Sequence, residues 1–506
     1  MFDCIVIGAG PGGLVSKKEL LEQGLSNVLC FEQASDIRGI FANAYDNLVL
    51  TSSSTMSMFS DFWIGDGSQH MFWSKEEAIN YWRRYAQNFG VLDRIRFDSK
   101  VTAVTLQETE VWQIQLASGE TFLSKKIVLA IGNNAIPNYP TWKNSLTDVE
   151  FSHSKEYRNA ERFTGKNVLL VGGGESGSDI ALEVSKVAKH CWVSLRSTTG
   201  YIIPRKRGLL VTDTLSNRIL WGIPRKYGAT LSKFIHLFDS IQFRDPSSVV
   251  ARKLNLKVKA KKGVLGTYGT KTYSLPKAIV ENSCKVVGEI MNVEDGGKTL
   301  HTADEKTLTD IDEVIFSTGY INHVSFLPED LKKTDPRSLY KHMFHSKYRD
   351  KIVWIGYARP NLGSQFPIME MQARLFALVC TGEKTLPKQA EMERVTCVNR
   401  VAWLEQFEHN AHRIRSLVGY FQYMNDVAGL IGCKPPLRKY FFSHPCIWLR
   451  MVFGITQATQ FRLQGPGNKE SLARELLLKL PMLVPTFVIK DALKKNFIYR
   501  SEDSTR

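Results

Sequence analysis

Two glycine clusters carry the clearest chemistry in this chain. GAGPGG, residues 8–13, follows the apolar run DCIVI, and GGGESG, residues 172–177, follows VLLV. Both open a stretch with helical character. In each, three glycines fall at G-x-G-x-x-G spacing: Gly8, Gly10 and Gly13, then Gly172, Gly174 and Gly177. The first glycine permits a tight turn, the second lets backbone approach a pyrophosphate, and the third lets helix and strand pack closely. The N–H groups and dipole at the helix start then hold phosphates. The residues that close the next strand differ between the copies. NVLCFE ends in Glu32, where a carboxylate binds ribose hydroxyls. HCWVSLRS ends in Ser194, Arg196 and Ser197 with no acidic residue. A guanidinium and two hydroxyls bind a 2′-phosphate that a carboxylate would repel. The spacing therefore predicts FAD at the first cluster and NADPH at the second, the usual pairing for hydride entry into a flavin.

Positioning two such turns takes two sheets. Strands alternating with helices indicate parallel, doubly wound α/β architecture. Residues 100–132 between the clusters alternate in short runs, with a turn at Ser118-Gly119, and return to a buried run, IVLAI. DEVIFSTGY, residues 312–320, makes a similar return. The expected fold is two Rossmann-like dinucleotide-binding domains, the NADPH domain inserted into the FAD domain, with a helical C-terminal region. Residues 1–158 and 321–430 form the discontinuous FAD-binding domain, with the chain leaving it near Tyr157. Residues 159–320 form the NADPH-binding domain, and residues 431–506 a C-terminal extension. Residues from about 212 to 262 are rich in Lys and Arg and lack the α/β rhythm, so they read as an insertion.

Composition narrows the partners. At 506 residues, 43% hydrophobic and 23% charged, the chain reads as a soluble protein of two or three domains. The longest apolar stretch near the C-terminus, residues 476–489, contains a lysine and two prolines and predicts no membrane span. A strand beginning at Phe2 leaves no room for a signal sequence, and the expected location is cytoplasmic. Eight scattered cysteines without a CxxC pair argue against a zinc ribbon and a redox dithiol. His342 with His345, and His409 with His412, would share a helix face if helical, but no Cys or carboxylate set accompanies them, so no metal is expected. The net charge of +16 suits anionic cofactors, an acidic substrate or an anionic membrane surface. Its densest run, residues 257–262, has no interleaved aromatics, which speaks against nucleic acid. Peripheral membrane contact and a homodimer stay open.

Longer stretches resemble a known family. FSHSKEYRNAERFTGKNVLLVGGGESGSDIA, with His153 and Tyr157, is similar to the signature of the flavin-containing monooxygenases, the class B flavoprotein monooxygenases. So are FSDF at 59–62, SLR with the later Pro204-Arg205, FSTGY at 316–320, GSQFPIMEMQAR at 363–374 and IGCKPP at 431–436. The resemblance implies that Pro11, Gln33, Arg38, Ile40 and Phe41 join the FAD site. It implies Glu175 and Ser176 for NADPH, and Thr318 and Gly319 at a hinge near both cofactors. It also implies an activity: NADPH reduces FAD, O2 adds to form a C4a-(hydro)peroxyflavin, and a small molecule's amine nitrogen or sulfide sulfur is oxygenated. NADP+ stays bound and excludes water.

The chain departs from the family at several points. Thr147 and Val149 replace a leading Phe and Gly, and Arg38 and Phe41 replace a Gly and Trp. Where many members carry an active-site Asn, LTSSSTMSMFSDF offers hydroxyls only, so Thr51, Ser52 and Ser54 are the candidate catalytic residues. Three rivals stay open: Baeyer–Villiger oxygenation of a ketone, N-hydroxylation of a primary amine or amino acid, and an oxidase-like or NADPH-sensing flavoprotein without productive oxygenation. His153 reads as a capping or packing residue at the domain junction.

Overall fold

The computed structural model describes residues 1–37, 39, 41, 44–64, 72–196, 200–207, 210–258 and 260–480. Its frame is two parallel sheets, each begun by one glycine-turn unit. In the first, β1 (Phe2–Ile7) leads through the turn into α1 (Pro11–Glu22) and on to β2 (Val28–Phe31). β1 is inward-facing over four consecutive residues, Cys4 to Ile7, because helices cover one face of the sheet and strands and loops the other. β3 (Ile95–Arg96) extends the sheet beyond β2, while β6 (Thr121–Leu129) flanks β1 on the other side. β4 (Val101–Leu106) and β5 (Trp112–Leu116) hang antiparallel from β6. The strand Arg349–Trp354 returns from far along the chain to pair with β6, and Phe344–His345 closes the edge.

The chain crosses to the second sheet through β7 (Ile136–Pro137), and there β8 (Glu150–His153), β9 (Asn167–Val171) and β10 (His190–Ser194) lie parallel with Lys285–Val287 and Glu313–Phe316. β8, which the sequence reading placed with the first domain, pairs with Glu313–Phe316 in this second sheet, so the crossing lies before Glu150 rather than near Tyr157. The return crossing, Tyr320–Ile321, runs antiparallel against β7. Outward and return paths thus form one ribbon between the sheets.

Two regions take a form that the sequence reading left open. Residues 212–262 fold mainly as helices, Arg218–Gly222, Gly228–Gln242 and Pro246–Leu256. Residues beyond 431 are woven into the first sheet's layer rather than appended to it. Thr459 donates its hydroxyl to Ser60 O at 2.7 Å, Gln457 Nε2 donates to Met58 O at 3.1 Å, and Arg462 is fully buried. His342 and His345 lie outside helices, and the His409 side chain lies outside the described residues. Among the described residues no helix is long and apolar enough to cross a membrane.

Candidate active site

The two glycine turns are built alike. Gly8 and Gly172 have φ of +100° and +105°, and a Cβ there would meet Ala130 O at 2.7 Å and Ser317 O at 2.6 Å. Only glycine fits such backbone. A Cβ on Gly13 would lie 1.8 Å from Gly8 O, and one on Gly177 would lie 2.1 Å from Gly172 O, so each helix sits directly on its own turn. Pro11 occupies the first turn of α1, where its missing N–H costs nothing. Neither α1 nor α4 (Glu175–Val184) has a side-chain cap, so the first-turn N–H groups face outward without a protein acceptor. A Cβ on Gly174 would meet nothing within 4 Å.

These features fit two dinucleotides, and the surrounding polar atoms agree. Asn133 Oδ1 and Ser317 Oγ, each just past the strand end that touches a glycine turn, are buried without a hydrogen-bond partner. At the first turn Glu32 is buried, accepting from Ala9 N–H at 2.7 Å and Ala34 N–H at 2.9 Å. That leaves it beside the turn with lone pairs to spare for ribose hydroxyls. Gln33 is exposed, and Phe41 packs its ring 5.0 Å from that of Trp82. Arg38, Ile40 and Ser197 lie outside the described residues.

The second turn collects positive charge. Arg196 is exposed just past β10. Desolvation of its guanidinium, and then the like charge of Arg196, hold Arg413 below the ordinary arginine value. Sequence reasoning missed Arg413 because it arrives from a distant segment. Ser194 behaves otherwise than expected: it is buried and donates its hydroxyl proton to Gly288 O at 2.8 Å. Ser176 is exposed on α4. Glu175 is engaged by the protein itself, accepting from Tyr268 Oη at 2.6 Å and lying 3.4 Å from Arg359 Nη2.

Residues 51–54 meet the rest of the site through a buried ion pair absent from the sequence reading. Lys271 Nζ donates to Asp213 Oδ1 at 2.8 Å, to Ser52 Oγ at 3.1 Å and to Gly363 O at 3.3 Å. Those three bonds exhaust its donors. Asp213 Oδ2 accepts from Ser53 N–H at 2.7 Å. Burial alone would push the Asp213 carboxyl up, but the Lys271 charge and the bonds from Lys271 and Ser53 hold it below the usual carboxylate range. Ser52 in turn donates to Gly363 O at 2.8 Å, so its proton is committed. Ser54 is buried at the start of the short helix Ser54–Ser57, and Thr51 is half-buried. Nearby, Asn361 is buried with both amide atoms unpartnered, as is the Thr270 hydroxyl. Asn361 also accepts Gly269 N–H on its carbonyl at 3.0 Å, which ties it to the Lys271 loop.

At the ribbon between the sheets, Thr318 donates its hydroxyl to Asn138 O, and Gly319 has φ +81°. His153 Nδ1 accepts Lys155 N–H at 3.2 Å, so Nε2 carries the proton it gives Gly319 O at 3.1 Å. Burial lowers its pKa. Both nitrogens are used in holding the ribbon, as a packing residue requires.

Residues 3–483 match the family of flavin-binding monooxygenase-like proteins. The chain is 32% identical over 489 residues to a 4-hydroxybenzoate brominase (decarboxylating) of Pseudoalteromonas luteoviolacea, covering 94% of this chain and 92% of that protein. It is 29% identical over 534 residues to flavin-containing monooxygenase 5 of Oryctolagus cuniculus, covering 99% and 94%. The crystal structure of OTEMO in complex with FAD and NADP shares the fold with a TM-score of 0.59 at 18% identity, covering 85% of this chain and 97% of that one. With its paired glycine turns and their acidic and basic strand ends, the chain belongs to the flavin-binding monooxygenase-like family and is an FAD- and NADPH-dependent monooxygenase.

Proposed function

We propose that this monooxygenase transfers one oxygen atom of O2 to a soft nucleophile, an amine nitrogen or a sulfide sulfur, of a small molecule. Bound FAD would supply the redox chemistry, passing reducing equivalents from NADPH to O2, one atom of which goes to the substrate while the other leaves as water. The chain's own residues bind, orient and exclude water. The first-turn N–H groups of α1 and α4 take the two pyrophosphates, with Glu32 on the FAD ribose and Arg196 on the NADPH 2′-phosphate. Asn361, with both amide atoms unpartnered, and Thr51 are placed to orient oxygen beside Ser54, while Ser52, pinned by Lys271 and Gly363, fixes the stretch. The observation that carries this reading is the saturated Lys271–Asp213–Ser52 cluster. It offers no free base or nucleophile, which suits a site whose reactivity resides in the flavin and the substrate.

The test is reaction of the FAD-loaded protein with NADPH, O2 and a panel of tertiary amines and thioethers, followed by mass spectrometry. The expected result is a product heavier by one oxygen, formed in step with NADPH oxidation. NADPH oxidation that yields hydrogen peroxide with every compound would overturn it in favour of an oxidase. A second reading is favoured by the brominase relative, which aligns over nearly the whole chain. That protein is a decarboxylating brominase of 4-hydroxybenzoate, and bromide is itself a soft nucleophile. Adding bromide and 4-hydroxybenzoate to the same assay separates the readings, since only the second gives a product with the bromine isotope doublet.

A further inference from the structure

Two buried thiols meet inside the second sheet. Cys191 lies on β10, and Cys284 stands just before the parallel strand Lys285–Val287. Trp192 pairs with Lys285, Val193 with Val286 and Ser194 with Val287, which sets Cys191 and Cys284 on the next rung. The Cys284 thiol donates to Cys191 Sγ at 3.6 Å, and the two residues are exposed by only 3% and 7%. No CxxC spacing announces the pair, because its members are 93 residues apart in the chain. The backbone that presents them is fixed. β10 is hydrogen-bonded on both sides, to β9 and to Lys285–Val287. Ahead of Cys284 the chain turns through Ser283, at φ +54°, and the Cys284 N–H closes that turn on Ala278 O at 3.1 Å. Both side chains enter the apolar layer that holds Val193, Leu275 and Ala278.

A disulfide needs its sulfurs about 2.05 Å apart, so closing this pair asks for roughly 1.5 Å of movement, within reach of side-chain rotation and a small strand shift. The consequence lies at the other end of β10. There the Ser194 hydroxyl donates to Gly288 O at 2.8 Å and Leu195 N–H donates to Val287 O at 3.0 Å. Ser194 O also accepts Gly172 N–H at 3.0 Å, which ties the strand end to the second glycine turn. Arg196 follows two residues later. A close-packed interior passes strain along such a strand instead of absorbing it. Drawing Cys191 toward Cys284 therefore shifts Arg196 against the turn. The hydrogen bond from Cys284, and then burial, push the Cys191 thiol above its ordinary value. Its thiolate is scarce at neutral pH, so the pair answers to sustained oxidant and not to a brief pulse.

We propose that Cys191 and Cys284 form a site of reversible oxidation, closed to a disulfide by hydrogen peroxide, that weakens NADPH binding. One sulfur attacks a peroxide oxygen, the O–O bond breaks, and the departing hydroxide leaves as water with the thiol proton. The sulfenic acid so formed is attacked by the second sulfur, the S–O bond breaks and a second water leaves. Two electrons thus pass from the two sulfurs to the peroxide. The effect on NADPH rests on the reading of Arg196 as the 2′-phosphate residue, whereas the disulfide does not. The FAD-loaded full chain is treated with hydrogen peroxide, digested without reductant and mapped by mass spectrometry. The expected result is a peptide pair linked through Cys191 and Cys284, lighter by two hydrogens. KM for NADPH rises about threefold or more and is restored by dithiothreitol. Cys284→Ala and the near-isosteric Cys191→Ser each keep the untreated KM after the same exposure. A map without the linked pair, taken while flavin stays bound, overturns the site. A linked pair with unchanged KM overturns its effect on NADPH, as does an equal rise in both variants. The map depends neither on oxygen transfer nor on Arg196, so failure of either is told apart from failure of the disulfide.

Discussion

At the scale of single residues, charge decides which cofactor is taken and how the protein responds to pH. Arg196, exposed just past β10, is the residue we propose for the 2′-phosphate, and a charge-assisted bond of this kind contributes about 1.5–3 kcal/mol. Arg196→Ala is therefore expected to lower kcat/KM for NADPH by roughly 10- to 100-fold while leaving that for NADH little changed. Steady-state kinetics with both nucleotides measures the ratio, and an equal loss for both would remove Arg196 from phosphate recognition. His342 provides the pH handle. It is buried, and burial, with the like charges of Arg337 and Lys341, lowers its pKa to about 3. The unfolded chain then binds the proton more readily, so stability is full above about pH 6.5 and falls as pH drops towards 3, at about 1.4 kcal/mol per pH unit. His342→Leu is expected to flatten the acid limb of a stability-versus-pH curve measured by urea unfolding. A slope identical to the parent's would show that other groups set it.

At the scale of elements, the two glycine turns make opposite predictions for one kind of substitution. Gly13→Ala drives a Cβ into Gly8 O, which is backbone and cannot yield without moving α1 off β1. Loss of bound flavin on purification is the expected outcome. Gly174→Ala meets only open space at an ordinary φ of −69°, so the protein folds and keeps its flavin. The new methyl stands in the path of the NADPH pyrophosphate, and KM for NADPH rises at least tenfold. If Gly174→Ala binds NADPH normally, the second pyrophosphate does not cross that glycine. The Lys271–Asp213 pair joins three elements: the residue 51–54 stretch, the insertion and the Gly363 turn. Lys271→Met leaves Asp213 buried and unpaired and is expected to cost about 3–5 kcal/mol, much of it recovered by adding Asp213→Leu. Thermal unfolding of the single and double variants gives the answer, and no recovery would assign Asp213 a separate role.

The whole molecule is held by a second charge cluster, built on the later turns of α1. α1 is so central that Lys17, Lys18 and Glu19 are all buried. Arg462, arriving from near the C-terminus, donates to Glu370 at 2.8 Å and pairs with Glu19 at 2.5 Å, while Lys18 and Lys469 meet Asp61 at 2.5 Å and 2.6 Å. Glu19, Glu22 and Asp61 are close enough to suggest a cation site, but these ammonium and guanidinium groups already neutralise them. Burial would raise Asp61, but Arg462, Lys18 and Lys469 hold its carboxyl well below the usual range. Its contribution is therefore present above about pH 4 and lost only as pH falls through its depressed folded value. Arg462→Met leaves the buried Glu370 carboxylate without its cationic partner, while Lys18 and Lys469 remain beside Glu19 and Asp61, and it is expected to destabilise by about 3–5 kcal/mol, read as a shifted urea midpoint with unchanged slope. A midpoint equal to the parent's would mean the C-terminal segment is only draped on the core.

What the sequence by itself determined is what a short window of chain can encode. Gly8, Gly10 and Gly13 lie with Glu32 in one strand–turn–helix–strand unit, and their counterparts near 172 lie with Arg196 in a second, where backbone sterics and strand length place each residue. The alternation of strands and helices fixed the sheet class for the same reason. Tertiary structure decided the rest. Asp213 reaches Ser53 across 160 residues, and Arg462 reaches Glu19 across 443. Hydropathy reads a lysine, arginine or aspartate as surface, because burying a charge is favourable only beside a partner that the linear pattern does not specify. The hydroxyl-only stretch at 51–54 was legible as a departure. That Ser52 is pinned and Asn361 left free depends on which distant loops fold over it.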